Sequence, residues 1–296
     1  KAMERSFDLG MTTIDTAPAY GFGKSEELVG RVIKGRRDKF QVLTKYGLRW
    51  DTDKGVFHFD TEDESGRKLA MHKYAAKESI ILECEKSLKR LGTDYIDLYQ
   101  IHWPDTSTPI ADTMEAVARL IEQGKVVCAG VCNYSVVEMM EAEKYVEILT
   151  NQVPYSMVKR DIEKDVVPYC LEKSKGILPY SPLQRGILTG KISNDYTFNY
   201  GDNRPSTIYY REPNLSRINK FLNELRPVAE SYNATLSQLV IYWTMKQPGI
   251  LSVLVGARNV SQVEENVKAA GLDMDESHLN VINNKIDSLT LEKNIS

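Results

Sequence analysis

The chain has 296 residues, of which 42% are hydrophobic and 27% are charged, and its formal net charge at pH 7 is −3. This composition is that of an ordinary globular protein, and the length suits one barrel or two smaller domains. No stripe of lysine and arginine stands out, and no apolar run approaches the roughly 18–20 residues of a membrane span, so the sequence favours neither a nucleic-acid partner nor a membrane role.

Cysteine spacing gives no indication of a metal site or of a disulfide framework. The four cysteines are Cys84, Cys128, Cys132 and Cys170. Only Cys128 and Cys132 are close in sequence, and their spacing fits no common zinc motif. There is also no signal-peptide pattern. We therefore expect reduced thiols, no bound metal and a cytoplasmic location, while the oligomeric state is not indicated.

The first part of the chain predicts strands that alternate with helices. The spacing over 1–10 is typical of the end of a helix, and the β-branched run that follows it predicts a strand at 13–14. Ser25, followed by two glutamates, predicts the N-cap of a helix over 25–33. A strand over 40–44 then ends at Lys45. Residues 46–74 form a long polar excursion with a possible hairpin at 56–59, and an excursion of this length is usually functional.

The same alternation continues to the end of the chain. The predicted helices cover 76–91, 110–123, 135–144, 166–173, 215–232, 236–246, 260–269 and 276–289, and the predicted strands cover 95–101, 126–131, 148–152, 177–180 and 251–255. A second long loop spans 184–214. Alternating strands and helices predict a parallel sheet with helices packed outside it.

The number of predicted strands favours an incomplete barrel. Seven strands are one short of a closed (β/α)8 TIM barrel, and an unclosed barrel would expose two sheet edges. Since the chain opens on a helix, we expect that a first strand precedes Lys1 and that residues 1–296 form a single, N-terminally incomplete barrel domain. The alternative is an open doubly wound sheet, which is disfavoured because no G-x-G-x-x-G turn follows any strand.

Polar residues follow four consecutive predicted strands. Asp15, Lys45, His102 and Asn133 each lie where one of these strands ends, and Tyr20 stands five residues after Asp15. Each has a simpler explanation alone: the aspartate as a loop residue, the histidine as a structural one and the asparagine as a helix cap. Jointly they favour one site, because the chemistry of parallel barrels is concentrated at the carboxyl ends of the strands.

These side chains suit proton donation to a carbonyl as hydride arrives. A free tyrosine has a pKa of about 10. An ammonium 4 Å away attracts its phenolate by about 4 kcal/mol at an effective dielectric near 20, so we expect Lys45 to lower the pKa of Tyr20. Asp15 would keep Lys45 charged, and His102 would hydrogen-bond the carbonyl oxygen. No Ser–His–Asp or Cys–His arrangement is indicated.

At these residues the sequence resembles the aldo-keto reductases. The similar segments, in order, are 15–21 (DTAPAYG), 44–45 (TK), 100–103 (QIHW), 130–134 (GVCNY), 151–155 (NQVPY), 180–183 (YSPL), 256–259 (GARN) and 265–266 (EN). The resemblance runs from about residue 8 to residue 289. It is strongest to a bacterial subgroup with a Tyr-Ser-Pro-Leu segment, which is also similar to the β subunits of potassium channels.

The resemblance implies a (β/α)8 barrel that binds NADPH, or NADP+ in the reverse direction, without a Rossmann domain. It implies Asp15, Tyr20, Lys45 and His102 as the catalytic tetrad, with Tyr20 as proton donor. The implied cofactor-binding residues are Cys132, Asn133 and Gln152 at the carboxamide, Tyr180 and Ser181 at the nicotinamide, Leu183, Gly186, Leu188 and Gly190 at the pyrophosphate, and Gly256, Arg258, Gln262, Glu265 and Asn266 at the adenosine. Arg258 suits a 2′-phosphate, and Lys191 is a weaker candidate.

Two further points concern the pocket. Cys132 stands where the family usually has serine, so a weak thiol donor replaces a hydroxyl, and the thiol is a candidate for oxidation. Tyr46, Trp50 and Trp103 are the candidate walls of a substrate pocket. The implied substrate is a small-molecule aldehyde or ketone: a sugar, a pyridoxal or a small carbonyl compound.

Two other functions remain open. One is an NADP(H)-binding regulatory protein with little turnover, similar to the channel β subunits. The other is a barrel isomerase or aldolase that uses Lys45 as a Schiff base, which a paired Asp15 opposes by keeping the amine protonated.

Overall fold

The computed structural model describes residues 1–199 and 201–293, and the chain divides into two compact units. The sheet unit comprises Ser6–Val153 and Lys164–Leu178. The C-terminal unit comprises Lys1–Arg5, Pro154–Glu163 and the described residues from Pro179 onward. That residues 1–296 form one barrel domain stays a prediction.

Helices and strands follow the predicted order up to the last strand of the main sheet. Their bounds are α1 Ala2–Asp8, β1 Thr13–Asp15, α2 Lys24–Ile33, β2 Gln41–Tyr46, β3 Leu48–Arg49, β4 Val56–Glu62, β5 Lys68–Lys73, α3 Lys77–Leu91, β6 Ile96–Ile101, α4 Ile110–Glu122, β7 Val126–Cys132, α5 Val136–Ala142, β8 Ile148–Pro154, α6 Val166–Glu172 and β9 Gly176–Tyr180. The buried apolar residues of the strands and of the adjoining helix faces form the core.

The main sheet has six strands in the described residues, in the order β1-β2-β6-β7-β8-β9. The pairs from β1 to β8 are parallel. Apart from β3–β5, which form a separate sheet, each strand lies beside the next one along the chain. A doubly wound sheet reverses its strand order at a switch point, so that alternative is wrong. The α/β class and the parallel sheet are confirmed.

The polar excursion folds into a small antiparallel sheet in the order β3-β5-β4. It contains a hairpin formed by β4 and β5, and the residues predicted to form a hairpin, 56–59, all lie in its first strand. Its register shifts within β4, because Phe57 pairs with His72 and Phe59 pairs with Met71. His58 is therefore one extra residue in its strand. Such a bulge bends a strand and re-aims a side chain.

A buried glutamate connects α2 to the strand that carries Lys45. Glu26 is 0% exposed; its Oε1 accepts a hydrogen bond from Thr44 Oγ1 at 2.6 Å, and its Oε2 accepts one from Arg90 Nε at 2.6 Å. Thr44 and Lys45 are neighbours on β2 and face opposite sides of the sheet. The Glu26 carboxylate thus links α2 and α3 to β2, on the face of the sheet opposite to Lys45.

The helix α2 does not begin as predicted. Its N-cap is Gly23, with φ 98°, and no side chain caps it. Ser25 instead accepts a hydrogen bond from Thr16 Oγ1 at 2.8 Å. Gly23 can adopt this left-handed conformation at no steric cost. The N-cap therefore lies two residues before the predicted N-cap, Ser25.

Gly30 permits close approach of α2 to α3, which gives a stability prediction. A Cβ at this position would lie 2.7 Å from the carbonyl oxygen of Leu91 and 2.8 Å from that of Arg90. Alanine favours a helix over glycine by about 1 kcal/mol, but overpacking against backbone costs about 1–3 kcal/mol. We expect Gly30→Ala to lower the free energy of unfolding in urea. Gly271→Ala is the control, because a Cβ there meets nothing within 4 Å.

The C-terminal unit is mainly helical. Its helices are α7 Asn214–Ser231, α8 Leu236–Met245, α9 Val260–Val267 and α10 Glu276–Ser288. The strand predicted over 251–255 is reduced, among the described residues, to one bridge between Leu254 and Tyr180. In the described part of the chain, every helix is too short or too polar to cross a membrane.

Candidate active site

A buried ion pair lies at the carboxyl ends of β1 and β2. Lys45 is 0% exposed, and its Nζ donates to Asp15 Oδ1 at 2.8 Å, to Asp15 Oδ2 at 2.7 Å and to the carbonyl oxygen of Thr16 at 2.9 Å. Burial lowers the pKa of Lys45, but the Asp15 carboxylate, together with Tyr20 and Cys132, offsets this effect and the net shift is upward. The amine is held protonated, which opposes a role as a Schiff-base nucleophile.

Tyr20 and His102 lie beside this ion pair. The Lys45 Nζ is 5.1 Å from the centroid of the Tyr20 ring. The rings of Tyr20 and His102 meet edge to face, with centroids 5.7 Å apart and an interplanar angle of 81°. The loop after β1 thus brings a phenol to an ammonium and an imidazole, and Tyr20 remains 43% exposed. The structure brings the four predicted side chains together.

The pKa shifts define the protonation states of this group. Burial raises the pKa of Tyr20 more than Lys45 lowers it, so the expected downward shift is wrong in its net direction. The phenol therefore keeps its proton at neutral pH. Burial also lowers the pKa of His102 to about 3, with smaller contributions from Lys45 and His58. A neutral imidazole has one N–H donor and one acceptor nitrogen.

Two amide side chains adjoin the tetrad. Asn133, with φ 61°, donates from Nδ2 to the carbonyl oxygen of His102 at 3.1 Å. Gln152 donates from Nε2 to Asp15 Oδ1 at 2.8 Å. The alternative explanation of Asn133 as a helix cap does not hold, because Ser135 caps α5. Both predicted carboxamide-binding residues therefore contact the tetrad directly.

Cys132 lies next to this group but is poorly suited to react. It is 1% exposed, and burial raises the pKa of its thiol well above the usual range. Oxidants react with the thiolate, which burial disfavours. The structure therefore opposes the hypothesis that Cys132 is oxidant-sensitive.

Two further aromatic pairs each include a residue that is close in sequence to Tyr20 or His102. Trp103 packs on His58 with centroids 5.0 Å apart, and Trp50 packs on Phe22 with centroids 5.5 Å apart. Neither Phe22 nor His58 was a candidate from the sequence, since only the fold brings a loop or strand aromatic against a predicted pocket residue.

Tyr46 is not placed as a pocket wall. Its ring is 1% exposed and packs on Tyr99 with centroids 4.6 Å apart. Successive residues of a strand face opposite sides of a sheet. Because Lys45 faces the tetrad, its neighbour Tyr46 faces the other way, so the expectation that Tyr46 lines the substrate pocket needs correction.

In the C-terminal unit, the predicted nicotinamide and pyrophosphate residues lie in and before a tight turn at Gln184–Thr189. Tyr180 is half-buried, and Ser181, Gly186 and Gly190 have φ of 57°, 106° and 70°. Here the amides of this turn donate to its own carbonyls: Gly186 and Leu188 to Leu183 O at 2.9 and 3.3 Å, and Gly190 to Ile187 O at 3.3 Å. That they hold a pyrophosphate stays a prediction.

The predicted adenosine residues lie at the start of α9. Asn259 caps this helix by accepting from Gln262 N at 2.9 Å, and Gln262 Oε1 accepts from Arg258 N at 2.7 Å. Asn266 Nδ2 donates to Gly256 O at 3.5 Å, and Glu265 accepts from Gln238. The Arg258 side chain is exposed, and in the parts of the chain that the structure describes no carboxylate pairs with it.

Comparisons with known proteins identify the family of this chain. A model of the Aldo/keto reductase family matches residues 1–287. The chain is 33% identical over 284 residues to the NADH-specific methylglyoxal reductase of Escherichia coli K12, covering 95% of this chain and 85% of the relative. It is similar to the structure of a glycerol dehydrogenase from Gluconobacter oxydans, with a TM-score of 0.89 and 31% identity, covering 100% of this chain and 88% of the other.

A second solved structure adds a bound cofactor to the comparison. An aldo-keto reductase from Klebsiella pneumoniae in complex with NADPH has a TM-score of 0.71 and 27% identity, covering 96% of this chain and 82% of the other. Family match, strand order and tetrad are mutually consistent, and the chain belongs to the aldo/keto reductase family.

Proposed function

We propose that this protein reduces an aldehyde or a ketone to the alcohol with NADPH, and that Tyr20 supplies the proton. The observation that carries the proposal is the buried Lys45–Asp15 pair, with Tyr20 and His102 beside it. The bound cofactor would supply a hydride to the carbonyl carbon. One hydride and one proton convert a carbonyl to an alcohol, so only a proton donor is needed from the protein.

Each side chain of the tetrad has a separate part in that proton transfer. Asp15 and the Thr16 carbonyl aim the Lys45 ammonium and keep it charged. The ammonium stabilises the phenolate that develops as Tyr20 gives its proton to the carbonyl oxygen. The neutral imidazole of His102 donates a hydrogen bond to the same oxygen and orients it. These groups are fixed before the substrate arrives, which lowers the reorganisation cost.

The residues present fit a nicotinamide cofactor. Asn133 and Gln152 carry amides, each with donors and an acceptor, beside the tetrad, and a carboxamide offers the complementary set. In the C-terminal unit, Arg258 presents an exposed guanidinium next to the N-terminus of α9, which suits the 2′-phosphate of NADPH. The strand order, in which neighbours follow the chain, also supports a barrel of the (β/α)8 type.

Arg258 gives a test of the cofactor preference, which matters because one relative is named NADH-specific. We expect Arg258→Ala to raise the Kd for NADPH about 10- to 100-fold, since a charge-assisted hydrogen bond is worth about 1.5–3 kcal/mol. The Kd for NADH should stay within about twofold because NADH lacks the phosphate. Fluorescence titration measures both, with Arg31→Ala as a matched exposed arginine. Equal weakening for the two cofactors, or none, would contradict the assignment.

The proposed reaction is tested by NADPH absorbance with a panel of aldehydes and ketones. We expect carbonyl-dependent oxidation of the cofactor. Cofactor binding without turnover of any panel member would favour an NADP(H)-binding regulator. Covalent trapping of a carbonyl compound on Lys45 by borohydride would favour a Schiff-base enzyme, although the ion pair with Asp15 opposes that outcome.

A further inference from the structure

His58 occupies a special position in the small sheet. It is the extra residue of β4, between the pairs Phe57–His72 and Phe59–Met71. Without that extra residue, β4 would keep a strict two-residue alternation, and the side chains on either side of it would change faces. Bulges of this kind are enriched beside active sites, where they re-aim side chains. The bulge therefore breaks the regular two-residue alternation of β4 at His58 and changes the direction of its imidazole.

The re-aimed imidazole packs against the tetrad's neighbour. Its ring centroid lies 5.0 Å from that of Trp103, at 54°, and Trp103 directly follows His102 in the chain. His58 is also close enough to His102 to contribute to the lowered pKa of that residue. Both His58 and Trp103 remain partly exposed. The indole and the imidazole thus lie near His102 and are partly open to solvent.

The chemistry of His58 and Trp103 favours one class of substrate substituent. Burial and Lys73 lower the pKa of His58, so at neutral pH the ring is uncharged, with one N–H donor and one acceptor nitrogen. An uncharged donor–acceptor ring is matched by a hydroxyl group, which also donates and accepts. Beside it, the indole provides an apolar surface for the carbon chain.

We propose that His58 is a specificity-determining residue that hydrogen-bonds a substrate hydroxyl beyond the reacting carbonyl, so that the site prefers hydroxylated, sugar-type carbonyl compounds. This inference rests on the proposed carbonyl reduction. In this role His58 contacts the part of the substrate that does not react. It should therefore affect the discrimination between substrates that carry this hydroxyl and substrates that lack it.

The test compares D-glyceraldehyde with propanal, which has the same number of carbons and lacks the hydroxyls. His58→Phe keeps a ring against Trp103 and removes the hydrogen bond, whereas His58→Gln keeps a donor and an acceptor. We expect the kcat/KM ratio of glyceraldehyde to propanal to fall about tenfold in His58→Phe, the value of one hydrogen bond. The ratio should recover to within about threefold of the parent value in His58→Gln.

His72→Phe is the matched control, because His72 lies on β5 of the same sheet and its ring packs on Phe57. This control should leave the ratio unchanged. An unchanged ratio in His58→Phe, or an equal fall for both aldehydes, would overturn the inference; the second result would mean that His58 only supports Trp103. If the parent protein oxidises NADPH with neither aldehyde, nor with any member of the wider panel, it is the proposed function that fails.

Discussion

Replacing Tyr20 with phenylalanine is expected to lower kcat for aldehyde reduction by about 10²- to 10⁴-fold, the range of a positioned general acid. The phenol is the protonated group that lies over Lys45 and against the His102 ring, and phenylalanine keeps the ring while it removes the proton. The affinity for NADPH should change by less than about twofold, because the phenol acts on the substrate. Stopped-flow absorbance and fluorescence titration measure the two quantities.

Tyr99→Phe is the matched control for that variant. The Tyr99 hydroxyl is buried on β6, the strand beside β2, and has no hydrogen-bond partner among the described residues. Losing an unpartnered hydroxyl costs little. If Tyr20→Phe kept parental turnover, or if it lost NADPH affinity and turnover in equal measure, Tyr20 would not be the proton donor.

Lys45→Met should have the second largest effect, and it should lower both the free energy of unfolding and kcat. Removal of the ammonium leaves the Asp15 carboxylate without its counter-ion, and breaking a buried ion pair on one side costs about 3–5 kcal/mol. Because Asp15 is 15% exposed, the lower end of that range applies. The developing phenolate of Tyr20 also loses its stabilising charge, so kcat should fall at least about 10²-fold. Urea unfolding and NADPH oxidation measure the two losses.

The double variant Lys45→Met/Asp15→Asn separates these losses. It removes both charges, so no unpaired carboxylate remains and much of the unfolding free energy should return. Turnover should stay as low as in Lys45→Met, because the ammonium is still missing. Recovery of turnover together with stability would mean that Lys45 has only a structural role.

The sequence was sufficient to predict that these side chains lie together, because their proximity follows from topology. Parallel strands that alternate with helices direct their carboxyl ends to one edge, and Asp15, Lys45 and His102 each follow or end such a strand. No contact between individual side chains had to be known. The strand near 251–255 was less secure, since a short apolar run does not show how many of its residues will pair.

Other features depend on packing that has no local signal. The pKa of Tyr20 depends on a balance between burial and Lys45, and burial cannot be read from the residue types. Residue type alone does not place Tyr46, because the alternation along β2 sets its ring against Tyr99, on the face opposite to Lys45. The bulge at His58 depends on the register between β4 and β5, which the hairpin sequence alone did not specify.

The most direct test of the account is the amount of alcohol formed for each NADPH consumed by the parent protein with an aldehyde, measured by chromatography of the product alongside cofactor absorbance. The account predicts one alcohol per NADPH, because each turnover adds one hydride and the Tyr20 proton to one carbonyl. A protein that binds NADPH and forms no alcohol from any carbonyl in the panel would contradict it.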